Sequence, residues 1–281
     1  PVVIDVPAGV TVTDPIILRH VGPADGAASA VHLVVRAGAD SEVRVIEVFD
    51  GGGKGLLVPG TDISVGSAAR VGYVSVQTLD PAAWSIGHLD IAVESQGTAK
   101  AGLAGFGGDY ARLRTDCRLV GRGASGDLLA AYFGSGDQTL DYRTFQDHEA
   151  PDTTSNLLFK GAVSDRSRSV YTGLIKVAKD ARGTNAFQTN RNIKLSEDAW
   201  AESVPNLVIE NNDVHCSHAS AVGPIDEEQR FYLEARGIPT PIAERLIVAG
   251  FFADVFDQLP VGELRSTLDA AVDAKLQGAM S

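Results

Sequence analysis

The sequence predicts a mainly β protein: a long strand-rich body, best accounted for as a β-solenoid, followed by a short helical tail. Three observations predict it. From Pro1 to about Asn212, short β-like runs follow one another with hardly any helical periodicity. Tight-turn signals are scarce, since Asn-Gly is absent and Asp-Gly occurs only at Asp25 and Asp50. After Val222 the pattern switches to a helical period.

The runs VVIDV, VHLVVRAG, EVRVIEVFD, YVSVQTL, HLDIAVES, YARLRTDCRLVG, DLLAAYF, QTLDYRTF, NLLFKGAV and SVYTGLIKVA have ordinary strand length. Several alternate. Val74 and Val76 share one face with Ser75 and Gln77 opposite, and Leu89, Ile91 and Val93 share a face that excludes Asp90 and Glu94. Alternation of this kind predicts sheets with one buried and one wet face. So many strands before any helix argue against a doubly wound α/β fold and leave sandwich, barrel, propeller or β-helix. The shortage of two-residue turns favours coils wound one on another, although no clean repeat period is visible. Residues 51 to 60, GGGKGLLVPG, read as a flexible excursion. Their Gly-Gly-Gly-Lys lacks both the spacing and the following helix of a phosphate-cradling loop.

In the tail, Asp226 with Glu227, Glu228 and Gln229 reads as a helix start that Gly237 closes. Thr240 is expected to cap a second helix with Pro241 at its first position, carrying Ile242, Leu246, Phe252, Val255 and Phe256 at helical spacing. Leu264, Leu268, Val272 and Leu276 mark a third. The expected division is a β body over residues 1–222 and a helical domain over 223–281.

The chain has 281 residues, 44% hydrophobic, with a formal net charge of −12. The acidic balance opposes nucleic acid and anionic lipid and suits protein or metal partners. Cys117 and Cys216 are the only cysteines, too few for a disulfide framework, so a reducing cytoplasmic setting is expected. No apolar run approaches the roughly 20 residues of a membrane span, and the first residues do not form a signal peptide. Because the chain begins at Pro1 without a Met and already reads as a strand, removal or omission of a preceding segment stays open.

Cys216 and His218, two apart, would share one face of a strand, with His215 on the other. Thiolate and imidazole suit iron, zinc or copper(I), but two ligands do not close a site, so other strands or another subunit must complete it. A buried Cys beside a hydrogen-bonded His is the plainer reading of the same residues. A Cys-His nucleophile is disfavoured, because residues two apart on a strand are poorly placed for in-line proton transfer. Asp141, Asp147, His148 and Glu149 form a second polar cluster that would suit glycoside chemistry on a β-helix, with a solvated strand end as the plain alternative. Cys117 reads as an inward core thiol. Phe231, Tyr232, Phe251, Phe252 and Phe256 exceed what one helical cap requires, which suggests a docking surface carried by Phe231, Tyr232 and Phe252.

The stretches TTSNLLFKGAVSDRSRSVYTGLIKV, GTNAFQTNRNIKLS and PNLVIENNDVHCSHASAVGPIDEEQRFYLEARGIP, continued by AERLIVAGFFADVF, resemble the SufB/SufD family of iron-sulfur cluster assembly proteins, and more closely its SufD branch. SufB proteins carry a different sequence in place of the Cys-Ser-His element. The resemblance implies a right-handed parallel β-helix followed by a C-terminal helical domain that docks an ATPase. It implies a non-enzymatic scaffold subunit of a SufBCD complex, paired with a SufB-type subunit through the β-helix and with a SufC-type ATPase through the helices, or self-paired when isolated. By the same likeness His218 and Cys216 are candidate ligands of iron or a transient iron-sulfur cluster at a subunit interface. Where family members usually read Cys-Ser-His-Gly-Ala-Thr, this chain has Ala219 and Ala221. The alternatives carried forward are a β-helix carbohydrate-active enzyme and a homodimeric structural protein.

Overall fold

In the computed structural model, which describes residues 1 to 279, the body is a parallel β-solenoid built from two 8-stranded sheets. The odd-numbered strands form one sheet, from the first strand (Val2–Val6) to β15 (Trp200–Ile209), each beside the next odd strand, and the even-numbered strands form the other, from β2 (Ile16–Val21) to β16 (Val214–Gly223). Every pairing is parallel, as a coil that returns to the same sheet once per turn requires. Register partners on neighbouring coils are 26 to 32 residues apart, as Trp84 with Tyr110 and Arg168 with Trp200 show, a variable step that hides the repeat from inspection of the sequence.

The regularity lies at the corners. Seven of the eight passages from the odd sheet to the even sheet place one residue in the left-handed region: Gly9, Asp40, Ala68, Gln96, Gly123, Asp152 and Gly183 in successive coils. Only three of the seven are glycine, so the corner signal is weak in the sequence.

Three readings of the strands are corrected. Residues 51 to 60 are not an excursion: Gly51 ends one strand, 52 to 55 turn the corner, and β5 (Leu56–Val65) begins at Leu56. Pro59 made the segment look like a loop. It lacks an amide proton, and the pairing of β5 with β7 (Trp84–Val93) skips from Leu57 to Gly60. In β6 (Arg70–Leu79) the alternation holds but the wet face does not. Val74 and Val76 point outward beneath the helices, while Tyr73, Ser75 and Gln77 face the solenoid interior, so both faces are covered. Strands β2 (Ile16–Val21) and β8 (Thr98–Gly105) were not anticipated; TAKAGLAG has little intrinsic strand preference and is held by ladders on both sides.

The interior changes character along the solenoid. Early coils pack Leu33, Val35, Val43, Val45 and Ile63. The middle is an aromatic ladder, with Tyr132 stacked on Tyr142 at 4.7 Å, Tyr142 edge-on to Phe159 at 5.9 Å and Phe159 against Tyr171 at 5.4 Å. Glycines make room for it, since a Cβ on Gly105 would fall on the Tyr142 hydroxyl. Toward the C-terminal end the inward residues become polar: Asn190 and Asn192 bond each other at 2.8 Å and reach the Tyr132 hydroxyl at 3.0 and 2.9 Å.

Three α-helices follow β16 (Val214–Gly223): α1 (Glu227–Glu234), α2 (Thr240–Phe256) and α3 (Arg265–Ala279). Asp226 caps α1 by accepting from the amides of Glu228 and Gln229. Thr240 does not cap α2; it is the first helical residue and its hydroxyl donates to Glu234 Oε1 at 2.8 Å. Helices α2 and α3 lie across the outer face of the even sheet. Val248, Phe252, Val255, Phe256, Leu268, Val272 and Leu276 join Ile46, Val74, Val76, Ala104, Leu129 and Phe133 in one buried cluster. Each of these Val, Leu, Ile and Phe side chains contributes roughly 1.5–3 kcal/mol. Two lysines pin the assembly. Lys160 donates to the Phe251 carbonyl at 3.0 Å and pairs with Asp254 at 2.8 Å. Lys275 donates to Ser135 Oγ at 2.9 Å, its pKa lowered to about 8 by burial.

Candidate functional site

The solenoid ends on two edge strands, β15 (Trp200–Ile209) and β16, each paired on one side only. In β16 the register sets Cys216 beside Ala186, His218 beside Gln188 and Ser220 beside Asn190 of β14 (Thr184–Lys194). Ala186, Gln188 and Asn190 are buried inward residues, so strand parity turns Cys216, His218 and Ser220 toward the interior as well. No further coil covers them. Cys216 is half-buried against Ile175, Val177, Ala181, Ala186 and Leu207, while His218 is exposed. Their partial exposure is that of inward residues at an open end, and His215 takes the outer face as anticipated, together with Ser217.

Burial pushes the Cys216 thiol up, opposed by a hydrogen bond with the Ala186 backbone. Cys117 is the contrast: fully buried in β9 (Tyr110–Leu119), with its pKa raised to about 12 by desolvation and then by Asp127, it is the inert core thiol expected. Among the described residues no group of three or more His, Cys, Asp or Glu side chains is arranged to hold a metal ion. Cys216 and His218 supply two donors on one face of one strand, an incomplete set.

The second polar cluster assembles only in part: Asp147, its pKa raised by burial and then by nearby Glu149, stands apart from Asp141. In β11 (Thr139–His148), Asp141 and Asp147 share the outer face six residues apart, about 20 Å at the rise of a strand, far beyond the spacing of paired glycosidase carboxylates. Asp141 is held by Arg112 at 3.7 Å and Arg143 at 3.3 Å. His148 faces the other way, 1% exposed, its ring nitrogens bonded to Thr153 Oγ1 at 2.8 Å and Ser155 Oγ at 2.9 Å, and burial lowers its pKa to about 4. Gly-Gly-Gly-Lys forms the corner between β4 (Glu42–Gly51) and β5, with no helix following.

The docking residues divide. Phe231 and Tyr232 on α1 are 70% and 56% exposed, and Tyr232 lines a cleft with Arg191, Gln229, Leu246, Gly250 and Phe251. Phe252 is corrected: it is 0% exposed and stacks on Phe133 and Phe256, so its surface is spent on holding α2 to the even sheet. Its spacing in the sequence could not distinguish a core face from an interface.

Gln188 was missed. It is 1% exposed and neither its Oε1 nor its Nε2 has a hydrogen-bond partner among the described residues; Ser203 Oγ in β15 is likewise buried and unpaired. The alternating polar run GTNAFQTNRN was the available signal, legible only once its inward face was known.

The family model described as "SUF system FeS cluster assembly, SufBD core domain" matches residues 20–251. An iron-sulfur cluster assembly SufBD family protein of Mycobacterium tuberculosis is 36% identical over 284 residues, covering 96% of this chain and 68% of its own. The iron-sulfur cluster assembly protein SufD of Escherichia coli is 31% identical, covering 77% of this chain and 51% of its own, and SufD of Bacillus subtilis is 35% identical, covering 57% and 36%. The chain belongs to the SufBD family of iron-sulfur cluster assembly proteins.

Proposed function

We propose that this chain is a non-enzymatic scaffold subunit, SufD-like, of a cytoplasmic iron-sulfur cluster assembly complex. It pairs through the open end of the solenoid with a SufB-type subunit and docks a SufC-type ATPase through α1 and its surroundings. The iron or nascent cluster is cargo, held between Cys216 and His218 and donors of the paired subunit. One observation carries the reading: two soft and borderline ligands project from an edge strand whose far side has no partner.

The two edges are unequal. β15 carries Pro205 at mid-strand, with Asn206 Nδ2 donating to the Gly173 carbonyl at 3.2 Å, whereas β16 has no proline and exposes the small residues Ser217, Ala219, Ser220 and Ala221. A strand of that kind admits a second backbone closely, so β16 is the edge suited to strand addition. Ala219 in place of the family's usual glycine does not obstruct this, since it sits in regular strand outside the left-handed region. Exposed Phe231 and Tyr232 supply an aromatic anchor for the ATPase.

The test is reconstitution with SufB-type and SufC-type subunits. His218→Ala should reduce cluster yield at least tenfold while leaving the solenoid folded, as a lost ligand requires. Unchanged yield removes the ligand assignment. Absence of any association with either subunit in all nucleotide states overturns the scaffold reading.

A further inference from the structure

Histidines that bind metals nearly always donate the second ring N–H to a fixed acceptor, which selects the tautomer and aims the ligating lone pair. His218 has no side-chain hydrogen bond among the described residues. Its register neighbour Gln188 has an amide with none at either end, although it is 1% exposed. A buried primary amide left without partners is destabilising, and such groups call for a role.

Gln188 and His218 face the same interior on adjacent strands, about 4.8 Å apart along the hydrogen-bonding direction. The amide packs against Gly173, where a Cβ would lie 2.1 Å from Gln188 Nε2, so the absence of a side chain there leaves room for it in the interior. Gln146 offers the comparison: it too is buried with both amide atoms unpaired, but its register neighbours, Cys117 and Ile175, provide no strong partner. Of the two, Gln188 is the one beside an imidazole with no side-chain hydrogen bond among the described residues.

We propose that Gln188 is a positioning residue for His218: its Oε1 accepts the ring N–H directed into the solenoid, which fixes one neutral tautomer and leaves the other nitrogen's lone pair facing the open end, where the cargo metal and the paired subunit meet. This rests on the reading of His218 as a ligand, but it can fail separately from it. The amide acts through the imidazole and does not touch the metal.

The experiment measures the His218 tautomer in the full-length chain without metal, by long-range proton-nitrogen correlation of the ring nitrogens well above the ordinary histidine pKa, with His218→Ala identifying the signals. Wild type should hold a single dominant tautomer. Gln188→Met, of similar shape but with no acceptor, should release His218 to the mixture of a free imidazole, and Gln188→Glu, which retains an acceptor, should restore the single form. In the reconstituted complex Gln188→Met should lower cluster yield about tenfold, in line with loss of an outer partner, and Gln188→Glu should recover it. The same tautomer distribution in wild type and Gln188→Met overturns the inference, whatever His218→Ala does. If Gln188→Met does not fold, Gln188→Leu and Gln188→Glu decide by the same spectrum: Leu must give the mixture and Glu the single form. A shift in tautomer together with full cluster yield in His218→Ala would retain the orientation and discard the ligand reading.

Discussion

The middle coils and the last coil are built from the same parallel ladders, yet they are finished in opposite ways. In the middle the interior is filled by the Tyr132, Tyr142, Phe159 and Tyr171 rings, and the outer face of the even sheet is sealed by α2 and α3. In the last coil the inward face carries Cys216, His218 and Ser220 with nothing above them, and Trp200 and Val208 are left exposed. One end of the gradient converts burial into stability. The other keeps backbone edges and soft ligands available, which is the condition for completing a site with a second chain.

The largest test of that contrast is a matched pair of substitutions. Phe252→Asp places a carboxylate at a 0% exposed position among Phe133, Phe251 and Phe256, and should cost at least the roughly 3–5 kcal/mol of Phe truncation, with α2 and α3 lifting off the even sheet. Phe231→Asp, at 70% exposure, should change stability by less than about 0.5 kcal/mol while weakening capture of a SufC-type ATPase. Urea unfolding followed by circular dichroism, alongside co-purification, separates the two. Equal stability losses would mean that α1 is as firmly packed as α2.

Next in size is a pH effect confined to the covered region. His148 titrates near 4 in the folded chain and near 6.5 when unfolded, because burial disfavours the imidazolium. Between those values the unfolded state binds more protons, so stability rises with pH across the interval. The contribution is fully present above about pH 6.5 and amounts to about 3 kcal/mol lost on acidification to pH 4. His148→Gln, which can still bond the Thr153 and Ser155 hydroxyls, should flatten this part of the profile. An unaltered acid limb would assign it to carboxylates instead.

How much of this was legible follows from where each residue's environment is decided. Period-two alternation and missing hairpin turns depend on the backbone alone, and they led to strands and solenoid directly. Val74 and Val76 could not be placed by the same means, because an outward apolar face under a helix and an inward one in the core share a spelling. The pairing of Cys216 and His218 on one face was readable at a spacing of two. That they face an interior with no lid depended on which strand came last, and Gln188 on a register set by neighbours a coil away.

The smallest effect on the isolated chain concerns the two thiols, one in each region. Cys117 lies beneath β10 (Ser125–Gly134), so close that a Cβ on Gly126 would be 2.7 Å from its sulfur, and its pKa near 12 leaves almost no thiolate at neutral pH. Cys216 also has a raised pKa, but it is half-buried on an open edge. A disulfide reagent at about pH 8 should therefore modify one thiol per native chain, slowly, and both after unfolding, with Cys216→Ser abolishing the native reaction. Labelling should leave stability within about 0.5 kcal/mol of the unmodified chain, since the last coil has no cover to disrupt. Once the chain is paired through β16, the same thiol should become protected. Protection without pairing would show that the open end closes on itself, and continued labelling in the complex would move the interface away from the Cys-Ser-His strand.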